Sequence, residues 1–282
     1  MDSAEPDTGT DSRTDSEALK LLAAALRKTM GTVSGRELDE ALGALGWRDM
    51  LDDIPDVAIP LVFRLLGETG AHAPLVNDVV LRAAGRPLGG TLPLPFAGGA
   101  WVVWERSRSG TGTQCAVGDT SVLDGELPLR RVTGGARAPL DEGRVAVGWW
   151  LVGAARAMLD LARRHAMDRV QFGRKLASFQ AIRHRLAETL VAIEGAEATL
   201  EAATGDLGSL LAKAAAGQAA LTAARHCQQA LGGTGFTAEH PLHSHVRRVL
   251  VLDGLLGSSR ELMSEAGAAV RRAGTAPRLT NL

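Results

Sequence analysis

Two segments of the chain, Arg169-Val170-Gln171-Phe172-Gly173 and Gln229-Ala230-Leu231-Gly232-Gly233-Thr234-Gly235-Phe236, lie between long stretches with helical periodicity. Over residues 139–282, apolar side chains recur at every third or fourth position, which is the spacing of one helix face. Long helices that follow one another through short connections pack as antiparallel neighbours. The sequence therefore predicts a C-terminal antiparallel four-helix bundle, with each quoted segment at the end of a helix.

The limits of these helices are marked by residues that favour helix ends. Carboxylates suit the first turn of the first helix because they interact favourably with the helix dipole. A double glycine is a natural stop for the third helix. The predicted helices begin near Asp141, Phe179, Ser209 and Pro241, and a short last helix begins at Ser258 with Glu261 completing a capping box.

The rest of the chain divides by composition into three further regions. Residues 1–15 are acidic and rich in Asp, Ser and Thr, which predicts a disordered tail. Residues 16–85 have helical periodicity and form a predicted N-terminal helical domain. Residues 86–138 are rich in Gly, Pro and Thr and predict a shortened β region with short strands. The expected fold class is mainly α, with this abbreviated β region in the middle.

Local signals predict the element limits within these regions. Ser34 followed by Glu37 reads as a second capping box. Pro60 and Pro74 are expected to separate helices. The apolar runs Ala100–Trp104 and Thr120–Leu123 are the predicted strands.

Overall composition excludes several classes of partner. The 31 basic and 32 acidic residues give no net field that would attract nucleic acid. The longest apolar stretch, residues 145–162, is interrupted by Arg156 and Asp160, so we expect a buried helix rather than a membrane span. The N-terminus has no export signal, which indicates a cytoplasmic protein.

The cysteines and histidines do not suggest a metal centre. Cys115 and Cys227 are far apart and read as small buried side chains. His243 and His245 are two residues apart and would point to different sides of a helix. We expect no metal.

Taken together, the motifs resemble the C-terminal domain of the acyl-CoA dehydrogenases, in which R-x-x-F-G and Q-x-L-G-G-x-G-F/Y bind FAD and a later E-G-T supplies the catalytic base. A match of this length and order is more specific than either motif alone. The residues that follow the family's order are Arg144, Arg169, Phe172, Gly173, Gln180, Gln229, Gly232, Gly233, Gly235, Pro241, Arg247 and Gly257.

The resemblance implies a role in holding FAD across a subunit boundary. In the family, this set of residues contacts the adenosine pyrophosphate of the FAD that lies in the neighbouring subunit. A guanidinium suits that task because it offers paired donors to phosphate oxygens. The implied cofactor-binding residues are Arg169, Gln171, Phe172, Gln229, Gly232 and Gly233.

The catalytic base of the family is missing at its expected position. Counting from the double glycine places Leu256 where the family has glutamate, and leucine cannot accept a proton. Two substitutes remain open. Glu142 stands one residue before the place from which some family members supply the base, and Asp253-Gly254 would replace Glu-Gly if the alignment moved by three residues. Glu142 is explained more simply by its favourable interaction with the helix dipole. Aligning Asp253 with the family's glutamate would change the spacing from Arg247.

We therefore expect a shortened, non-catalytic subunit of a heteromeric acyl-CoA dehydrogenase, similar to those of α2β2 enzymes in actinobacterial steroid and cholesterol catabolism. Its partner would be a full-length catalytic subunit, and the complex would desaturate an acyl-CoA thioester. The alternatives are a self-sufficient flavoenzyme that uses Glu142 or Asp253, and a helical scaffold without flavin. The sequence does not identify the acyl group or the electron acceptor.

Overall fold

The computed structural model of the protein describes residues 8–106 and 127–275. The N-terminal helices are α1 (Thr8–Met30), α2 (Gly35–Ala44), α3 (Trp47–Asp53), α4 (Pro55–Thr69) and α5 (Leu75–Ala83). Strands β1 (Pro93–Phe96), β2 (Ala100–Trp104) and β3 (Leu129–Val132) follow. The C-terminal half contains α6 (Asp141–Asp168), β4 (Val170–Gln171), β5 (Arg174–Lys175), α7 (Gln180–Glu201), α8 (Gly205–Leu231), α9 (Leu242–Gly254) and α10 (Ser259–Ala273). The expected mainly α fold is confirmed.

Helix α1 begins at Thr8, within the segment 1–15 for which the sequence predicts a tail. Two local predictions further along the N-terminal region are wrong. Ser34 precedes α2 but forms no capping box, since its hydroxyl oxygen accepts a hydrogen bond from the His72 backbone N–H at 3.1 Å instead. Pro60 lies within α4, where burial of the helix in the core outweighs the lost backbone hydrogen bond.

The middle region forms a small antiparallel sheet in the order β1-β2-β3. In its register, Pro95 pairs with Trp101 and Val102 pairs with Arg131. Strand β2 coincides with the predicted strand Ala100–Trp104. The predicted strand Thr120–Leu123, like Cys115, lies outside the described residues.

Helix α6 is the central element of the fold and is buried against helices on several sides. It packs against α4 at two glycines: a Cβ atom on Gly67 would lie 2.3 Å from the Trp150 carbonyl oxygen, and one on Gly153 would lie 2.1 Å from the Arg64 carbonyl oxygen. Glycine is required at both positions because the two backbones touch there. One continuous hydrophobic core extends from the N-terminal helices through the bundle to Leu256.

Among the described helices, α6 is the one long and apolar enough to cross a membrane. Two thirds of its most apolar window, 67%, is buried inside the protein, as the core helix of a folded domain requires. Its burial comes from packing against α4, α7, α8 and α9. The chain therefore uses α6 as a core helix.

The alternating helix directions create two ends of the bundle. At the first end, which we call the motif end (residues 165–180 and 229–242), Arg185 of α7 donates a hydrogen bond to Gln229 of α8. At the second, which we call the loop end (residues 139–144, 205–213 and 253–259), Arg144 of α6 bonds to Asp206 of α8 at 2.8 Å. The quoted sequence motifs lie at the motif end, and the position expected for the base lies at the loop end.

Candidate functional site

The segment that follows α6 forms a two-residue β-hairpin. Strands β4 and β5 pair antiparallel, and the two residues between them, Phe172 and Gly173, have φ angles of 53° and 75°. Positive φ at both central residues is typical of the type I′ hairpin turn. The turn leaves the Phe172 side chain 90% exposed, an unusual environment for an aromatic ring.

Arg169 is the last residue before this hairpin, and its guanidinium is held by its neighbour in the motif. In the amide orientation that satisfies both groups, the Gln171 side-chain oxygen accepts hydrogen bonds from Nη2 and Nε of Arg169, at 2.7 and 3.1 Å. Two hydrogen bonds accepted by one oxygen restrict the rotation of the long Arg169 side chain. The guanidinium keeps three further N–H donors that can reach a ligand.

The exposed aromatic ring belongs to a small cluster at the start of α7. Phe172 packs edge-on against Phe179 with 6.2 Å between ring centroids. The Arg174 guanidinium carbon lies 4.0 Å from the centroid of the Phe179 ring, a cation–π geometry. The cluster presents both an apolar face and positive charge at the motif end.

The double glycine ends α8 as the sequence predicts. Gly232 is the C-cap with φ 61° and ψ −140°, a conformation that residues with a side chain rarely adopt. A Cβ on Gly232 or Gly233 would meet nothing within 4 Å, so the backbone here is open to a ligand. Gly235 is different, since a Cβ there would lie 2.9 Å from the Leu231 Cβ, and its role is to permit the tight turn.

Gln229 lies in the last turn of α8 and its amide oxygen accepts a hydrogen bond from Arg185. One turn deeper, Thr189 and His226 bond across the same pair of helices at 2.9 Å. These contacts fix the end of α8 against α7. Sequence analysis did not identify Arg185, and no motif residue marks it; only its place near the start of α7 could have suggested it.

The two motif segments come to the same end of the bundle. His165, in the last turn of α6, has its pKa lowered by burial and by the nearby positive charge of Arg169 and of His240. His240 follows the glycine-rich segment by a few residues. The common neighbour shows that the two segments approach each other at this end of the bundle.

The loop end is closed around the position expected for a base. Leu256 is 1% exposed, and its backbone N–H donates to the Pro95 carbonyl at 2.8 Å. A Cβ on Gly143 would lie 3.0 Å from Leu256 Cδ1 and 2.9 Å from Val80 Cγ2, so both side chains lie against that glycine. Phe96 of β1 forms a bridge with Leu255. Apolar side chains and strand β1 therefore fill the space in front of the loop.

Both carboxylates considered as substitutes have other partners. Glu142 accepts a hydrogen bond from Arg82 at 2.7 Å. Asp253 accepts one from the backbone N–H of Ser259 at 3.2 Å, at the start of α10, and its Oδ1 would lie 2.3 Å from a Cβ on Gly217. Asp253 therefore faces the interface with α8.

A buried lysine that sequence analysis missed holds the loop from the other side. Lys213 is 0% exposed, and its ammonium donates to the carbonyl oxygens of Asp253 at 2.9 Å and Gly257 at 2.5 Å. Burial lowers its pKa to about 7. A lysine inside the alanine-rich run of α8 was a signal that could have identified it, because such a run predicts a buried helix face.

Potential metal ligands are dispersed. Over residues 8–106 and 127–275, no group of three His, Cys, Asp or Glu side chains is arranged to hold a metal ion. Cys227 is buried, and burial raises the pKa of its thiol to about 12, so it is an inert packing residue.

The bundle matches a known family model. Residues 134–270 match the model of the acyl-CoA dehydrogenase C-terminal domain. The acyl-CoA dehydrogenase IpdE2 of Mycobacterium tuberculosis is 38% identical over 115 residues, covering 40% of this chain and 36% of that protein. FadE34 of the same organism, also an acyl-CoA dehydrogenase, is 32% identical over 222 residues, covering 70% of this chain and 30% of that protein. The chain thus spans about a third of the length of these curated relatives.

Solved structures match over nearly the whole chain. The Tcur3481–Tcur3483 steroid ACAD variant gives a TM-score of 0.71 at 18% identity, covering 92% of this chain and 99% of that one. The ChsE4–ChsE5 complex from Mycobacterium tuberculosis gives a TM-score of 0.63 at 18% identity, covering 93% and 98%. At this level of identity the comparison shows the fold, which extends through the N-terminal helices and the sheet.

Proposed function

We propose that this chain, whose residues 134–270 match the acyl-CoA dehydrogenase C-terminal domain, is a subunit of an acyl-CoA dehydrogenase without a catalytic base of its own, which holds the adenosine pyrophosphate of FAD in the active site of a catalytic partner. The complex would desaturate an acyl-CoA thioester in the cytoplasm. We name the proposed set Arg169, Gln171, Phe172, Gln229, Gly232 and Gly233 the adenosine clamp.

The observation that carries the proposal is the closed loop end. Desaturation requires a group that removes a proton from the α carbon while a hydride leaves the β carbon. Leu256 has no such group, and its side chain packs against Gly143, the residue at the other place from which some family members supply the base. Glu142 is bonded to Arg82 and Asp253 to the start of α10. These contacts support the proposal that another chain supplies the base.

The motif end fits the adenosine pyrophosphate half of FAD. Arg169 has donors for phosphate oxygens, and the open backbone at Gly232 and Gly233 leaves room for a ligand to approach. The exposed ring of Phe172 offers a surface against which a planar base can stack. When bound, FAD would supply the hydride acceptor; the residues of this chain would bind and orient its adenosine end.

The exposed apolar side chains at the motif end also support the binding of a partner subunit. Phe172 is 90% and Phe236 is 66% exposed, and Val170 is 53% exposed in the same region. Apolar side chains grouped on a surface mark sites where another molecule binds. Two structural neighbours, the Tcur3481–Tcur3483 steroid ACAD variant and the ChsE4–ChsE5 complex, favour a heteromeric arrangement and a steroid-derived acyl group here as well.

The test is co-expression with a full-length acyl-CoA dehydrogenase subunit encoded nearby, followed by measurement of FAD bound per purified complex and of acyl-CoA desaturation. Arg169→Ala should lower FAD affinity about 10-fold or more, because a charge-assisted pair with phosphate is lost. Arg164→Ala is the matched control: Arg164 lies in α6 five residues before Arg169, its side chain is 61% exposed and it forms an ion pair with Asp160, so this change should leave FAD binding unchanged.

Three results would reject the proposal in different ways. Equal FAD affinity in the Arg169→Ala and Arg164→Ala complexes would show that the adenosine clamp does not hold FAD. A partner that copurifies without FAD would favour the helical scaffold. A yellow, active chain without any partner would favour a self-sufficient enzyme, and Glu142→Ala and Asp253→Ala would then show which carboxylate acts.

A further inference from the structure

Arg185, near the start of α7, contacts a residue of the adenosine clamp. Its Nη1 donates a hydrogen bond to the side-chain oxygen of Gln229, in the last turn of α8. We propose that Arg185 is a positioning residue, which fixes the Gln229 amide so that its NH2 group faces the pyrophosphate of FAD. This inference rests on the proposed function, because it adds a residue that acts through the clamp described there.

The chemistry of the two groups allows the amide one orientation. A guanidinium has only donors, so the Gln229 atom that bonds to Arg185 has to be the carbonyl oxygen rather than the amide nitrogen. This contact turns the oxygen toward α7 and leaves the two N–H donors for other partners. Within the part of the chain that the structure describes, the Gln229 nitrogen bonds to no protein group, and the residue is exposed. The amide is therefore held as a donor that a ligand can reach.

The oriented amide lies next to open backbone at the end of α8. A Cβ on Gly232 or Gly233 would meet nothing within 4 Å, so a ligand has room there. Residues three and four apart are neighbours on one side of a helix, which places Gln229 on the same side as this open backbone. A phosphate group that approaches Gly232 would therefore meet the N–H donors of Gln229, and amide donors suit phosphate oxygens.

The charge of Arg185 also favours an anionic ligand. At the loop end, the Arg144 guanidinium is paired with the Asp206 carboxylate at 2.8 Å, so its charge is compensated. Arg185 differs, because no carboxylate among the described residues forms an ion pair with it and its partner Gln229 is neutral. The Arg185–Gln229 pair thus keeps a full positive charge, which attracts phosphate groups.

The alternative role for Arg185 is to hold α7 and α8 together. These helices already have a contact one turn deeper, where Thr189 of α7 bonds to His226 of α8 at 2.9 Å. Thr189 is fully buried, whereas Gln229 is exposed. A buried contact thus joins the two helices, and a variant that removes it provides a control for the structural role.

The test is a double-mutant cycle on the FAD affinity of the complex with the catalytic partner, measured by flavin absorbance after dialysis against a range of FAD concentrations. Arg185→Ala and Gln229→Ala should each weaken FAD binding about fivefold. The double variant should also be about fivefold weaker, rather than about 25-fold, because both changes remove the same oriented donor. Arg185→Lys keeps a donor for the Gln229 oxygen and should bind FAD within about twofold of the wild type.

A charge variant tests which side of the amide faces FAD. Gln229→Glu replaces the NH2 group with a negatively charged oxygen while Arg185 still has an acceptor to hold. It should weaken FAD binding about 10-fold or more, which is more than Gln229→Ala does, because the new charge repels the pyrophosphate. Thr189→Val removes the deeper contact between α7 and α8; it should lower stability and leave FAD affinity unchanged.

Three results would overturn the positioning role. Additive losses in the double variant would mean that Arg185 contacts FAD directly. Equal FAD affinity of Gln229→Glu and the wild type would mean that the NH2 group does not face the pyrophosphate. A loss in Thr189→Val as large as in Arg185→Ala would mean that both contacts only hold the helices together. Arg169→Ala in the same series separates this inference from the proposed function: if Arg169→Ala weakens FAD binding and Arg185→Ala does not, the adenosine clamp stands without Arg185.

Discussion

The two ends of the bundle contrast in what they leave exposed. At the motif end, Phe172 and Phe236 are exposed and the backbone of Gly232 borders open space. At the loop end, Leu256 is buried and Lys213 is fully enclosed. Both ends are formed by the same helices. The difference therefore lies in side chains and connections rather than in the bundle itself.

The contrast separates two regions of one bundle. The motif end leaves Phe172, Phe236 and the backbone of Gly232 open to another molecule. The loop end has leucine at residue 256, and Val80 of α5 and strand β1 fill the adjoining space. Under the proposed function, the motif end would contact FAD and another chain would supply the base.

The largest expected effect comes from restoring the carboxylate. Leu256→Glu places a charge among Leu256's present neighbours, Val80 and Gly143, and should lower the free energy of unfolding by about 3 kcal/mol or more. The backbone at residue 256 has a φ of 62°, which is equally unfavourable for leucine and for glutamate, so it does not affect the comparison. Phe236→Glu, at the exposed motif end, should change stability by less than about 0.5 kcal/mol. Urea unfolding of both variants measures the difference.

Catalysis by this variant would contradict the conclusion that the loop end is filled. If the isolated Leu256→Glu chain is as stable as the wild type and desaturates an acyl-CoA, the loop end has room for a substrate. Lower stability without any gain of activity would agree with a filled loop end.

The next effect concerns pH and Lys213, whose buried side chain has a pKa of about 7 against 10.5 in the unfolded chain. Between these values the unfolded state binds more protons than the folded one, so stability should rise with pH in that window. From pH 7 to pH 9 this group should add about 2 kcal/mol to the free energy of unfolding. Lys213→Met should lose this rise, and Lys20→Met, an exposed change, should keep it.

The measurement is urea unfolding of the three proteins at both pH values. If the free energy of unfolding changes with pH equally in Lys213→Met and in the wild type, the lysine is charged in the folded chain. The loop end is then more hydrated than the burial of Lys213 indicates.

The smallest effect tests the internal support of the adenosine clamp. Gln171→Ala removes the oxygen that fixes the Arg169 guanidinium, a loss of about 1 kcal/mol or about fivefold in FAD affinity of the complex. Gln218→Ala, an exposed glutamine in the middle of α8, is the control. Flavin absorbance after dialysis against a range of FAD concentrations gives both affinities. A Gln171→Ala complex that retains FAD like the Gln218→Ala complex would show that Arg169 does not need this support.

Capping boxes illustrate what sequence patterns can and cannot predict. The Ser258–Glu261 box is present as predicted: the Glu261 backbone N–H donates to the Ser258 hydroxyl at 3.4 Å, and the Ser258 backbone N–H donates to the Glu261 carboxylate at 2.9 Å. The same pattern at Ser34 fails because His72, distant in sequence, bonds to the serine instead. A local pattern is reliable where no distant residue competes for the same atoms.

The sequence by itself determined the mainly helical fold, the bundle, strand β2, the stop at Gly232 and the absence of a proton acceptor at residue 256, because periodicity, glycine conformation and side-chain chemistry are local properties. Only the tertiary structure decided that Leu256 packs against Gly143, that Lys213 holds the loop and that Arg185 contacts Gln229. Those outcomes depend on which helices meet and at what distance. Contacts between distant residues are set by the packing of the whole core, and no window of sequence contains them.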